Sequence, residues 1–371
     1  MLLLQLQAGI GGAGVDQEFQ AKMWGAGGGS GGQNTGGTGY RTTTYYKSKS
    51  GGAGGYVYVT FTVAGGVDLL FTVGGKGRGA GVENIDNASG GYNGGGVGGH
   101  AGSDEGGGGG GYTGIFMGSG DSDKTQAKAI AISPGGGGGS GGPGYANAQN
   151  EHSTGAGGIN DSTTGVGNQG TRGASFGGGS TYPQGGGLTS GGAAGYNSSS
   201  SQTANAGAIL AGGAGKSWST SWGSGGGGGA GWYGGGSGAG DGNNWGGQGG
   251  ASGSAFVRGS GQTYNADGNA SLADYTYGSH TFTNHTWGYD GDGTNNRGTD
   301  GYYQMRGPVN RGDAQYVSGR AWGGDFNNVT STSDGLDGAD GLIVYRRRDA
   351  GASTWGAWVT LSSSGNTTVS T

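Results

Sequence analysis

The chain has 371 residues, of which 107 are glycine, and it contains nine tryptophans, 19 tyrosines, eight phenylalanines, four prolines and no cysteine. A net charge of −5 with only 11% charged residues leaves no basic patch for nucleic acid, and without cysteine neither disulfides nor thiolate metal sites can reinforce a thin core. Each glycine costs about 0.5–1 kcal/mol more than alanine to order, so folding requires a compensating interaction for most of them.

The opening MLLLQLQAGIGG lacks a basic leading segment, a full apolar run and a clean cleavage site. Residues 1–18 are therefore expected to form an arm or a short strand. No window reaches the roughly 18 apolar residues of a membrane span, so no membrane insertion is expected. Helix is disfavoured throughout, because almost every window carries several glycines at about 1 kcal/mol each.

The extended runs appear in this order: FQAKMWG (19–25), YVYVTFTV (56–63), VDLLFTV (67–73), YTGIFM (112–117), QAKAIAI (126–132), GSAFV (253–257) and GLIVYRRR (341–348). YVYVTFTV alternates cleanly, with Val57, Val59, Phe61 and Val63 on one face and Tyr56, Tyr58, Thr60 and Thr62 on the other. Trp24, Phe61, Phe71 and Phe116 are expected in the core. The runs predict an all-β fold with almost no α-helix, two sheets packed as a jelly-roll-like β-sandwich.

Between the runs lie glycine tracts at 25–55, 74–111, 134–197 and 211–254. Extended glycine can adopt a polyproline II-type helix with three residues per turn. With no side chains, such helices can pack closely and exchange backbone hydrogen bonds, which would supply the missing compensation. Trp232, Tyr233 and Trp245 lie inside these tracts, where they either cap the packed glycine or stand at loop tips.

Six blocks carry a resemblance: AKMWGAGGGSGG, GGAGGYVYVTFTVAGGVDLLFTVGGKG, GGYNGGGVGG, GGGGGGYTGIF, AKAIAISPGGGGGSGGPG and GADGLIVYRRR. In this order they resemble the glycine-rich module of many microbial and viral surface proteins and of anaplastic lymphoma kinase-type receptors. The resemblance spans residues 19–348. It implies a β-sandwich with an inserted bundle of polyglycine II helices, and recognition or adhesion without catalysis. Residues 349–371 form a C-terminal tail whose Trp-x-x-Trp strand, followed by Thr-Leu and a polar end, is similar to bacteriophage tail-fibre sequence. Together the resemblances imply a virion tail-fibre or spike protein, probing a host surface glycan or outer-membrane receptor alongside other fibre proteins, as a homo-oligomer, most simply a trimer. The alternatives are a structural subunit of an extracellular filament or virion coat, and a secreted bacterial surface-binding module.

Where the module would carry a short tract, residues 258–336 form a long insertion rich in Tyr, Asp, Asn and Trp. Its cluster Trp287, Tyr289, Asp290, Asp292, Tyr302, Tyr303, Tyr316 and Trp322 combines rings that stack on sugars with groups that hydrogen-bond hydroxyls. It reads either as a receptor-facing site or as an aromatic minicore or subunit interface.

Catalytic patterns are weak. His100, His152, His280 and His285 are scattered, with no Gly-x-Ser-x-Gly elbow nearby. A hydrolase would need a carboxylate pair such as Asp290 with Asp300 or Asp313. The GxGxxG matches lack a following helix, and DGDGTNN (290–296) lacks the glycine and distal glutamate of a calcium loop. The tripeptide RGD (311–313) and the sequons at Asn87, Asn269, Asn328 and Asn366 follow from composition. No catalytic residue, metal or cofactor is expected.

Overall fold

The alternation of YVYVTFTV is realised from Val57 onward: Val57, Val59, Phe61 and Val63 are buried and Tyr58, Thr60 and Thr62 half-buried, whereas Tyr56 is buried as well. A computed structural model of the chain describes residues 14–32, 50–80, 88–100, 105–142, 181–198, 200–217, 223–240, 247–258, 263–264, 308, 312–324 and 336–371. Within them the protein is almost all β.

The strands are β1 (Gln17–Trp24), β2 (Tyr56–Val63), β3 (Asp68–Val73), β4 (Thr113–Met117), β5 (Ala129–Ser133), β6 (Tyr196–Asn197), β7 (Gln202–Thr203), β8 (Phe256–Val257), β9 (Thr263–Tyr264), β10 (Leu342–Asp349), β11 (Val359–Leu361) and β12 (Gly365–Ser370). One five-stranded sheet runs β11-β10-β1-β2-β9, a second runs β12-β3-β4-β5-β8, and β6 pairs with β7 alone. Neighbours pair antiparallel except for β9, which lies parallel to β2.

Inward residues of both large sheets join one core. Phe19, Met23, Phe61 and Tyr345 come from the first sheet, and Leu69, Phe71, Ile115 and Val369 from the second. Phe19 stacks on Phe61 with ring centroids 5.3 Å apart. Burying such rings is the main apolar driving force available to so glycine-rich a chain.

All four rings expected in the core are buried, two of them in separate clusters. Trp24 is on the outer face of the first sheet, buried with Tyr56, Leu342 and Val344. Phe116 is on the outer face of the second, buried with Leu70, Ile132, Trp232 and Phe256. Both follow from strand period, since Trp24 is odd-numbered spacings away from the inward Phe19, Ala21 and Met23, and Phe116 falls between the inward Ile115 and Met117. Trp232 accordingly joins a buried cluster, not a loop tip.

Strand ends also shift. Residues 126–128 of QAKAIAI form a 3-10 turn, because Arg258 takes the Gln126 and Ala127 carbonyls at 2.9 and 2.7 Å. Residues 253–255 of GSAFV follow the glycine segments instead of a sheet, with Ser254 N–H donating to the Tyr233 carbonyl. Residues 359–370 of the C-terminal segment supply β11 and β12, which pair with β10 and β3.

The glycine segments all leave the sheets at one end. Trp24, Tyr56 and Leu342 lie opposite one another there in the first sheet, and Val73, Thr113 and Ser133 mark the same end of the second. Backbone bonds join these exits, as in Gly25 to Gly55, Gly55 to Pro134 and Gly341 to Gly74. Tight turns occupy the other end, including 64–67 with Gly66 at φ +81°.

Candidate functional site

The glycine segments are built from backbone alone, and segment 105–111 shows how. Gly106 and Gly109 donate to Gly99 and Gly96 of one neighbouring segment. Gly107 and Gly110 donate to Gly139 and Gly136 of a second, and Gly108 and Gly111 to Arg78 and Gly75 of a third. The donor target thus repeats every three residues. In the reverse direction Gly107 and Gly110 accept from Gly227 and Ala230, and Gly108 and Gly111 accept from Gly29 and Ala26. Amides that would otherwise be buried without partners are satisfied by neighbouring threads.

Close approach is what excludes side chains. A Cβ on Gly107 would lie 2.2 Å from the Gly29 carbonyl oxygen, and one on Gly138 would lie 2.0 Å from that of Gly107. Several non-glycine positions inside this region carry small residues, and Ala26, Ser30, Ser140, Ala230 and Ala251 are all essentially fully buried, as is the larger Gln248.

Of the eight residues expected to face a receptor, Tyr316 and Trp322 are described; Trp287, Tyr289, Asp290, Asp292, Tyr302 and Tyr303 lie outside the described residues. Tyr316 and Trp322 belong to a compact turn that covers the outer face of the first sheet. The Tyr316 hydroxyl donates to the Arg320 carbonyl at 2.6 Å and accepts from Trp322 Nε1 at 3.1 Å. The Tyr316 ring meets Trp24 at 5.5 Å between centroids. These two rings therefore brace the turn, and the turn's Val317 is exposed.

The turn is also held by charge. Lys22 donates to Asp313 at 2.7 Å, which occupies the aspartate of the RGD tripeptide in an internal ion pair. Asp313 is thus committed, and the Asp290 and Asp300 considered with it lie outside the described residues, as do Trp245, His152, His280 and His285. His100 Nδ1 lies 3.0 Å from Oε1 of the buried Glu105. The Asn366 amide donates to Asp121, and its oxygen accepts from Tyr92, so this sequon side chain is engaged. Among the described residues no group of three His, Asp or Glu could hold a metal ion, and no helix is long and apolar enough to cross a membrane.

Sequence reasoning missed a second aromatic band on the same face. Residues 350–358 fold back over β10, with Gly351 at φ +84° and Gly356 N–H donating to the Arg347 carbonyl. This lays Trp355 and Trp358 against the outward residues of β10. Arg346 is 5.0 Å from the Trp355 ring centroid and 4.6 Å from that of Trp358, Arg348 is 4.4 Å from Trp355, and Lys22 is 5.3 Å from Trp358. Gln20 and Glu18 accept from Arg346 and Arg348. The two-residue spacing of Arg346 and Arg348 was the available signal, since it puts both on one face of a strand.

Acid groups at the opposite end are tuned locally. A hydrogen bond from Lys128, with the Gly120 and Ser119 amides, holds the Asp123 carboxyl down to about 2. Burial raises the Tyr112 and Tyr345 phenols above their ordinary value.

No protein-family model, curated protein or solved structure matches the chain.

Proposed function

We propose that the glycine tracts form a bundle of polyglycine II helices continuous with a β-sandwich, and that this unit is a non-enzymatic host-recognition subunit of a bacteriophage tail fibre or spike. The observation that carries the reading is the three-residue repeat of donor targets along Gly106–Gly111, the repeat expected of a three-residue helix bonded to its neighbours. A lattice of this kind is a stiff support. Segments that leave it can vary without cost to the fold, which suits recognition of variable surfaces.

In this reading the insertion 258–336 supplies the contact surface. Trp287, Tyr289, Tyr302 and Tyr303 stack on a host surface glycan or outer-membrane receptor, and Asp290 and Asp292 bond its hydroxyls. Tyr316 and Trp322 are assigned the supporting role, because their polar groups are used within the turn.

The test is saturable binding of the labelled full chain to bacterial cells and to their purified surface glycans. Binding is expected, without shortening of the glycan chains, and joint replacement of Trp287, Tyr289, Tyr302 and Tyr303 by alanine should abolish it while leaving the melting temperature unchanged. Glycan shortening, or undiminished binding by that variant, would contradict the proposal.

A further inference from the structure

The six-residue strand β12 is the outermost strand of its sheet. Thr371 N–H donates to the Val67 carbonyl at 3.2 Å, which makes residues 371 and 67 a hydrogen-bonded pair. In antiparallel pairing such pairs recur at every second residue. Val369, Thr367 and Gly365 therefore turn their backbone groups toward β3, and Asn366, Thr368 and Ser370 turn theirs to the open side.

Little blunts this edge. Arg347 donates to the Ser370 carbonyl, but the outward amides of Asn366, Thr368 and Ser370 have no acceptor among the described residues. Their side chains are drawn away to Asp121, the Ser119 carbonyl and Asp68 respectively. Natural edge strands are usually protected by charge, proline, a bulge or shortness. GNTTVS has neither charge nor proline and its register with β3 is unbroken, whereas the edge strands β8 and β9 are two residues each and β11 three.

We propose that this edge pairs with β12 of a second copy of the chain, antiparallel about a two-fold axis at Thr368. That register sets Thr368 against Thr368 and Asn366 against Ser370, so no like charges oppose each other within the pair. About six backbone bonds form between the outward groups. Beside the strands, the Asp121 and Lys124 of one copy meet the Asp68 and Arg347 of the other, an acid and a base on each side. The pairing joins the two sheets into one and rests on edge geometry, independently of any receptor.

Sedimentation velocity of the full chain over a range of concentrations tests it. The wild-type chain is expected to dimerise. Thr368→Pro removes an amide that the sheet does not use, at the kind of position where edge strands accept proline, and should give a monomer with a near-unchanged melting temperature; Thr367→Pro should lower that temperature by breaking the inner ladder. Thr368→Lys places like charges on the axis and should weaken association about tenfold or more, with recovery at high salt. A wild-type chain that stays monomeric, or a folded Thr368→Lys chain that associates as tightly as wild type, would overturn the proposal.

Discussion

The indole of Trp232 lies flat on the ring of Phe256, with centroids 3.8 Å apart and planes 7° from parallel. Trp232 follows a glycine run and Phe256 opens β8, so the stack ties the glycine segments to the outer face of a sheet. Its indole N–H donates to the Leu188 carbonyl at 3.1 Å, and the side chain is 2% exposed. Trp232→Ala should cost about 3–5 kcal/mol, and Trp232→Phe less, because stacking survives. Denaturant midpoints of the two variants check the order.

Gly107 donates to Gly139 at 2.8 Å while its α-carbon faces the Gly29 carbonyl. Gly107→Ala should force these threads apart at a cost of about 1–3 kcal/mol or more. Gly312 has open space where its Cβ would be, so Gly312→Ala should stay within about 0.5 kcal/mol of wild type. Thermal melts of the pair separate close packing from the general flexibility of glycine.

Tyr316→Phe removes the hydroxyl that links Arg320 and Trp322. Stability should fall by about 1–2 kcal/mol. The cell or glycan binding proposed above should be retained at temperatures where the variant is folded, which distinguishes a bracing ring from a contact ring.

Burial raises the phenols of Tyr112 and Tyr345 above the ordinary 10.0. A raised folded-state value means that the stabilisation is complete below pH 10 and is lost as pH climbs toward the folded-state values. Ultraviolet tyrosinate titration should show a late ionisation that coincides with unfolding; Tyr112→Phe should reduce its amplitude and extend alkaline stability.

Period-two patterning made the inner core legible. The inward residues of β2 were readable because valine and phenylalanine alternate with tyrosine and threonine, and the same pattern located most of β3, β4 and β10. It did not reveal Trp24 and Phe116 as outer-face residues, because tertiary covers, the turn at 312–324 and the segment carrying Trp232, bury the second face as well. The strand expected at Trp355–Trp358 lies one step further on, at Val359–Leu361 (β11); β12 was missed because GNTTVS has a single apolar residue, Val369, and is recognisable as a strand only through its partner β3. Tyr316 and Trp322 were legible as an aromatic pair, but their use of each other's polar groups depends on a turn with Gly319 and Ala321 at positive φ, which composition does not encode. The Trp355–Arg346–Trp358 contacts likewise depend on the reversal at Gly351.

Amide hydrogen exchange across Gly106–Gly111 tests the bonded glycine lattice most directly. These six amides all donate to neighbouring segments, so they should exchange as slowly as the amides of β1, through opening of the whole fold. Exchange at the rate of an unstructured peptide, while β1 stays protected, would contradict a folded glycine lattice.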